Sequence, residues 1–197
     1  MTVTVRAGTV DAAVQYNGID YVRVDSKGMY LTPDTYPKFK ANLSALTTIT
    51  TSATPQLVPL NLVELNYLSC YNATAATAIL NGRSVPANAF FPIKAGYYMI
   101  TASSMVYNAS GITIAATYVY KNGIANLYGT DVTVTTASTT QISSVHGMIY
   151  MNGTTDYIQL YCMAIFAAGV GYFYTGTSGN SNGTWTNFMS ANLVVNT

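Results

Sequence analysis

The sequence predicts an all-β sandwich, and three observations predict it. Apolar segments of strand length recur about every ten to fifteen residues from Phe39 onward. Gly, Asn or Pro separates them, and no long segment carries the 3.6-residue apolar period of a helix. Within the segments apolar residues alternate, as side chains do on the two faces of a strand. A chain of 197 residues has room for one well-buried core and a short appendage.

The appendage comes first. Of the fifteen charged residues (eight basic, seven acidic), nine fall in the first forty positions: Arg6, Asp11, Asp20, Arg23, Asp25, Lys27, Asp34, Lys38 and Lys40. That break, beside Pro33 and Pro37, divides the chain into an N-terminal β segment, residues 1–38, and a main domain, residues 39–197. In the first, Tyr16-Asn17-Gly18-Ile19 is a strong hairpin signal, because Asn-Gly accepts the positive φ of a type I′ turn. Tyr21–Val24 reads as a strand, Ser26-Lys27-Gly28 as a turn and Met29-Tyr30-Leu31 as the next strand. Such a segment is too short to hold a core alone.

In the main domain, Ile112–Tyr120 alternates so that Ile112, Ile114, Ala116, Tyr118 and Tyr120 share one face, and Lys121-Asn122-Gly123 turns the chain. Other strands are apolar on both faces. Tyr98 and Ile100 oppose Tyr97 and Met99, while Ile158, Leu160 and Cys162 oppose Tyr157 and Tyr161. A sandwich buries only the inner face of each sheet, so a second apolar face calls for a covering, and a neighbouring subunit is the simplest one. Tyr97, Met99, Tyr157 and Tyr161 are therefore expected at a subunit interface. A buried aromatic removes about 150–250 Å² from water at roughly 25 cal/mol per Å², so a few per subunit suffice to hold an oligomer.

Charged residues make up 8% of the chain and the net charge is +1, so solubility rests on hydroxyls and amides and no basic field draws in nucleic acid. Met1–Arg6 lacks the apolar core of a signal peptide, and no stretch reaches the ~18 apolar residues of a membrane span, which predicts a chain made soluble in the cytoplasm. Cys70 and Cys162 are too few for a disulfide scaffold and read as buried free thiols.

Little points to catalysis. His146 is the only histidine, which excludes a His-based metal cluster, and no G-x-S-x-G elbow or phosphate loop occurs. Of seven acidic residues only Glu64, Asp131 and Asp156 lie in the main domain, and Asp156 reads as a turn residue. A glycosidase would need two of the three facing each other about 5–10 Å apart. No cofactor is expected. Five sequons, at Asn42, Asn72, Asn108, Asn152 and Asn182, suit a chain rich in Asn, Ser and Thr, and are read as unmodified. The polar stretch Thr175–Trp185 reads either as a solvated loop or, with Tyr172, Tyr174 and Trp185 as stacking surfaces, as a glycan- or receptor-contacting tip.

Several segments together resemble a known superfamily. Phe39–Leu43, Phe91–Ile100, the Tyr118–Gly123 segment ending in Lys-Asn-Gly, Met151–Leu160 and Phe188–Leu193 follow the order of strand motifs in the complement one-q globular head and tumour necrosis factor. The resemblance covers about four-fifths of the chain, from Phe39 to Val195. It implies a jelly-roll sandwich of about ten strands that forms a homotrimer through apolar, aromatic-rich faces. There is no Gly-X-Y stalk and no acidic cluster for calcium. The nearly uncharged Thr/Ser/Asn/Gly texture is similar to bacteriophage head and tail proteins of this fold. The expectation is thus a non-enzymatic virion structural protein: a fibre, spike or decoration subunit on a phage capsid or tail. It would be displayed on the virion surface and held to other virion proteins through residues 1–38; the alternative is a host receptor- or carbohydrate-binding tip.

Overall fold

In a computed structural model of the protein, the described residues comprise the strand backbones at 2–6, 11–16, 19–25 and 28–31, together with 36–132, 139–166, 168–175 and 187–196. Trp185 and the rest of the 176–186 stretch lie outside them, as does the side chain of Asp131. Every helix or strand among the described residues is a strand.

The N-terminal segment is an antiparallel meander of β1 (Thr2–Arg6), β2 (Asp11–Tyr16), β3 (Ile19–Asp25) and β4 (Gly28–Leu31), hydrogen-bonded as a sheet of its own. Tyr16 pairs with Ile19, so β2 and β3 flank the expected turn as a hairpin does, while Asn17 and Gly18 themselves lie outside the described residues. The sequence reading places no strand at Thr2–Arg6; the structure does, and the β-branched alternation of Thr2-Val3-Thr4-Val5 suits it.

The main sandwich has two sheets. The seven-stranded sheet contains β5 (Lys38–Asn42), β6 (Thr47–Ile49), β8 (Leu62–Tyr67), β13 (Ala95–Asn108), β16 (Thr139–Asn152), β18 (Gly171–Phe173) and β19 (Phe188–Asn196). β13 is its spine: one edge pairs with β16 along all fourteen residues, and the other pairs with β19 and then β18. The six-stranded sheet runs β15 (Ile124–Val132), β14 (Ile112–Lys121), β17 (Ile158–Phe166), β12 (Ala89–Phe90) and β9 (Tyr71–Asn72), with β7 (Gln56–Leu57) also on β17. A hairpin of β10 (Ala78–Leu80) and β11 (Arg83–Val85) lies outside both sheets.

One core fills the space between the sheets. Phe39 stacks on Tyr71 at 4.7 Å and on Phe90 at 4.5 Å, and Tyr98 meets Phe90 edge-on at 5.6 Å. Ile100, Val106, Val119, Ile158, Leu160, Met151 and Met189 continue it. The two buried tyrosine hydroxyls donate to carbonyls, Tyr71 to Leu60 at 2.8 Å and Tyr98 to Lys94 at 2.9 Å, so burial leaves neither without a partner. Cys70 and Cys162 are buried and unpaired, and burial pushes both thiols up to about 12.

The alternation expected for Ile112–Tyr120 needs one correction. The register shifts between Ile112 and Ile114, which turns Ile112 into the core with Ala115 and Val119, while Ala116, Tyr118 and Tyr120 take the outer face. A bulge reverses the face of everything beyond it.

Three sequons prove to be turns. In Asn72-Ala73-Thr74, Asn108-Ala109-Ser110 and Asn152-Gly153-Thr154, the Asn Oδ1 accepts the backbone N–H two residues on, at 3.0, 2.7 and 2.9 Å. This is the Asx turn, and the Ser or Thr at the third position is part of the same turn chemistry. The Asn72 amide nitrogen also donates to the carbonyls of Ala76, Val85 and Pro86, and that of Asn108 to Ala168 and Val170.

On one side the two sheets close on each other, where β15 packs against β16. Thr117 Oγ1 donates to Ser143 O at 2.9 Å there, and Gly147 sits under Leu127. Gly129 makes the close approach possible: a Cβ at that position would stand 2.1 Å from the Ser144 carbonyl oxygen. Gly129→Ala is therefore expected to lower the unfolding free energy in a denaturant titration by about 1–3 kcal/mol. An unchanged midpoint would mean that the seam is open in solution.

Candidate functional site

The feature with the clearest functional content is the outer face of the seven-stranded sheet. Because β13 and β16 pair without a register shift, residues 97, 99, 101, 103, 105 and 107 of β13 share that face with 150, 148, 146, 144, 142 and 140 of β16. The first cross-strand rows are Tyr150–Tyr97–Val195 and Met148–Met99–Asn192, and then His146–Thr101–Ser190. Tyr97 is 43%, Met99 37%, Ile142 49%, Met148 56%, Tyr150 41% and Val195 49% exposed, while Tyr98, Ile100 and Ala102 between them are wholly buried. Tyr97 and Tyr150 pack ring to ring at 5.4 Å.

Strands β13, β16 and β19 contain no Asp, Glu, Lys or Arg. Charge is confined to the margin on β5 and β8. There Lys38 sits over the Tyr67 ring at 4.1 Å, and Lys40 pairs with Glu64 at 2.6 Å. The hydrogen bond from Lys40, with a second from Asn42 at 2.7 Å, holds the Glu64 carboxyl below its ordinary range against the opposing effect of burial. The face is five strands across, about 24 Å, and the fourteen residues of β13 span about 46 Å.

The expected interface residues divide between the two sheets. Tyr97 and Met99 lie on the face just described. Tyr161 lies on the outer face of the six-stranded sheet, stacked on Tyr120 at 4.2 Å. Tyr157, just before β17, packs within the chain against Val85, Ala89 and Phe91 beneath the β10–β11 hairpin. The structure thus does not bring the four together on one surface. Tyr150, Met148 and Val195 join Tyr97 and Met99 instead, with Ile142 further along the same face opposite Met105; their alternation was readable in the sequence, but not which strand would lie beside which.

Tyr172 and Tyr174 both pack on Tyr107, at 6.4 and 5.7 Å, toward the far end of β13. They are about 33 Å along the same sheet from Tyr97. Trp185, expected to join them, lies outside the described residues. His146 stands exposed on β16. Glu64 is engaged by Lys40 and Asn42, and Asp156 by Lys121 and Asn122. Among the described residues no three His, Cys, Asp or Glu side chains are grouped as a metal site, and no helix is long and apolar enough to cross a membrane.

The fold is that of the complement one-q and tumour necrosis factor jelly roll, as the sequence resemblance implied. The globular domain of a zebrafish complement 1qA protein matches 82% of this chain and 99% of its own with a TM-score of 0.52 at 9% identity. Murine APRIL matches 81% of this chain and 100% of its own with a TM-score of 0.50 at 10% identity. Identities this low establish the fold alone. No family model matches the chain, and no curated protein matches it in sequence.

Two motifs that carried the sequence resemblance meet at one end of the sandwich. Lys121 Nζ reaches Asp156 Oδ2 at 2.8 Å and donates to the Tyr150 carbonyl at 2.7 Å. Asn122 donates to Asp156 Oδ1 at 2.7 Å and accepts from the Tyr157 N–H at 3.0 Å, while the Asn152 N–H donates to Asp156 Oδ2 at 3.0 Å. One carboxylate thereby ties the β14–β15 turn to the β16–β17 turn. Burial raises the pKa of Asp156, but the hydrogen bond from Lys121 and those from Asn122 and Asn152 outweigh it and leave the carboxyl below its ordinary value. A lowered folded pKa means that this contribution is present above the unfolded value of about 4 and is lost as pH falls through the folded one. Asp156→Asn is expected to lower stability by about 2 kcal/mol at pH 7 and to flatten the decline of wild type below pH 4, read by thermal melts across pH. Parallel pH curves for the two proteins would show that the carboxylate charge is not what holds the turns.

Proposed function

We propose that the chain is a non-catalytic structural module that assembles as a homotrimer through the outer face of the seven-stranded sheet. The observation that carries this reading is the charge-free surface of β13, β16 and β19, with Tyr97, Met99, Met148 and Tyr150 clustered as an apolar patch toward one end of it. Three strands about 4.8 Å apart along the fourteen residues of β13 give roughly 650 Å², of the order of the about 800 Å² that each partner of a stable interface contributes. Exposed apolar patches of this extent mark interaction sites. A two-fold partner would bury the same face, so the oligomer's mass is the measurement that separates a trimer from a dimer.

The setting we propose is the exterior of a virus particle, as a fibre, spike or decoration subunit of a phage capsid or tail, attached to other virion proteins through residues 1–38. The composition supports it: 8% charged residues, with nine of the fifteen in the first forty positions. A receptor- or glycan-contacting tip is the second reading. It is favoured by the cluster of Tyr107, Tyr172 and Tyr174 at the far end of the sheet.

Sedimentation equilibrium at micromolar concentration is expected to give three times 21.0 kDa, about 63 kDa. Met99→Lys with Tyr150→Lys places two unpaired ammonium groups in the face, and is expected to leave a folded 21.0 kDa monomer with an unchanged far-ultraviolet spectrum. A wild-type chain that sediments as a monomer, or a double variant that stays trimeric, would overturn the reading.

A further inference from the structure

The outer face of the six-stranded sheet carries a second aromatic surface, built differently from the first. Tyr128 on β15, Tyr118 on β14, Tyr161 on β17 and Leu57 on β7 are direct cross-strand partners, so they form a single row over four strands. Tyr120 stacks on Tyr161 at 4.2 Å with the rings 20° apart. Tyr118 lies 6.3 Å from Tyr128 at 30° and meets Tyr120 edge-on at 6.1 Å. The next row is Thr130, Ala116 and Met163, which is uncharged as well.

The hydroxyls of these four tyrosines differ from those of the buried tyrosines in what they meet among the described residues. The buried pair, Tyr71 and Tyr98, donate to carbonyls. Among the described residues no protein group bonds the hydroxyl of Tyr118, Tyr120, Tyr128 or Tyr161. The ribbon therefore offers ring faces and unengaged hydroxyls side by side, without a charge among them.

Its size argues against a second copy of the chain. Tyr128 keeps 72% of its surface exposed and the other three rings are partly buried. Together they offer roughly 300–450 Å², well under the about 800 Å² that each partner of a stable protein interface contributes. Absence of charge disfavours an anionic polymer, which would lose its hydration with no cation to replace it.

We propose that the Tyr128–Tyr118–Tyr161 ribbon, with Tyr120, is a binding platform for a neutral oligosaccharide. Sugar rings lay their C–H faces on the tyrosine rings and their hydroxyls against the tyrosine hydroxyls. The platform is on the sheet opposite the proposed assembly face, so it stays open in an oligomer, which presents it once per subunit and gains avidity for a polymer. The inference stands apart from the oligomer reading.

Calorimetric titration of the full chain with cellohexaose, chitohexaose and maltohexaose tests it, with a hyaluronan hexasaccharide as the charged comparison. At least one neutral sugar is expected to bind saturably, and the hyaluronan fragment not at all. Tyr128→Ala, at an exposed edge-strand position, is expected to weaken that binding about tenfold, and Tyr128→Phe, which keeps the ring, by less. The Met99→Lys, Tyr150→Lys variant is expected to bind as wild type per chain, so failure of the oligomer reading and failure of this one give different results. No saturable heat with any neutral sugar at millimolar concentration would overturn the proposal. So would affinity that Tyr128→Ala and Tyr118→Ala both leave unaltered, or a change in sedimentation caused by Tyr128→Ala.

Discussion

The pairing of β13 with β16 over fourteen residues without a register shift is the constraint on which the rest of the structure depends. Side chains alternate along a strand with period two, so an unbroken ladder keeps every second residue on the same face from end to end. That sends Tyr98, Ile100, Ala102 and Val106 into the core and Tyr97, Met99, Thr101 and Tyr107 out. A one-residue bulge anywhere along it would exchange the two sets beyond that point. The shift in β14 at Ile112 shows the consequence on a small scale, since there one isoleucine changes face.

With so few charges, the chain fixes its turns by other means. Asn72, Asn108, Asn152 and Asn187 are each tied by their side-chain amides to several backbone groups. Asn187 accepts from the Met105 N–H and donates to the carbonyls of Met105 and Tyr174. An amide carries donor and acceptor together, so it can bridge two strands or close a turn without the desolvation cost of an ion. The ion pair that joins two turns, Lys121 with Asp156, is surrounded by such amides, which supply the bonds a half-buried carboxylate needs. A texture that from composition reads as low complexity is thus a set of placed turn locks.

Much of the fold was legible because its signals are local. The β2–β3 hairpin, the Lys121-Asn122-Gly123 turn and the two-sided strands at Tyr97–Ile100 and Tyr157–Cys162 follow from dihedral preference and alternation. The order of segments pointed to the jelly roll that the comparison with solved structures shows. What was not legible was which apolar outer residues would share a surface. Tyr97 and Tyr161 look alike in sequence, yet one lies on β13 and the other on β17, in different sheets; long-range pairing decides that, and alternation carries no record of it. The bulge at Ile112 was hidden for a similar reason, since Ile112 and Ile114 suit either face. The Asx turns were visible as Asn-x-Ser/Thr, but the same pattern is also a glycosylation sequon, and only the hydrogen bonds separate the two.

The two outer faces also differ in how the chain covers them itself. On the six-stranded sheet the β10–β11 hairpin folds over part of the surface and takes Tyr157, with Val85, Ala89 and Phe91, into a small second core. That leaves a strip of tyrosines, too narrow for a subunit and wide enough for a slender ligand. No such hairpin covers the Tyr97–Tyr150 end of the β13, β16 and β19 face among the described residues, where the exposed side chains are methionine and valine as well as tyrosine. Methionine and the branched aliphatics have no hydroxyl to satisfy and gain only from leaving water, so that surface suits another apolar surface. The tyrosine strip, with its ring faces and unengaged hydroxyls, suits a partner that is itself half apolar and half hydroxyl. The same excess of apolar residues beyond what one core can hold therefore resolves into two surfaces with different chemistry, sorted by which sheet each strand joins.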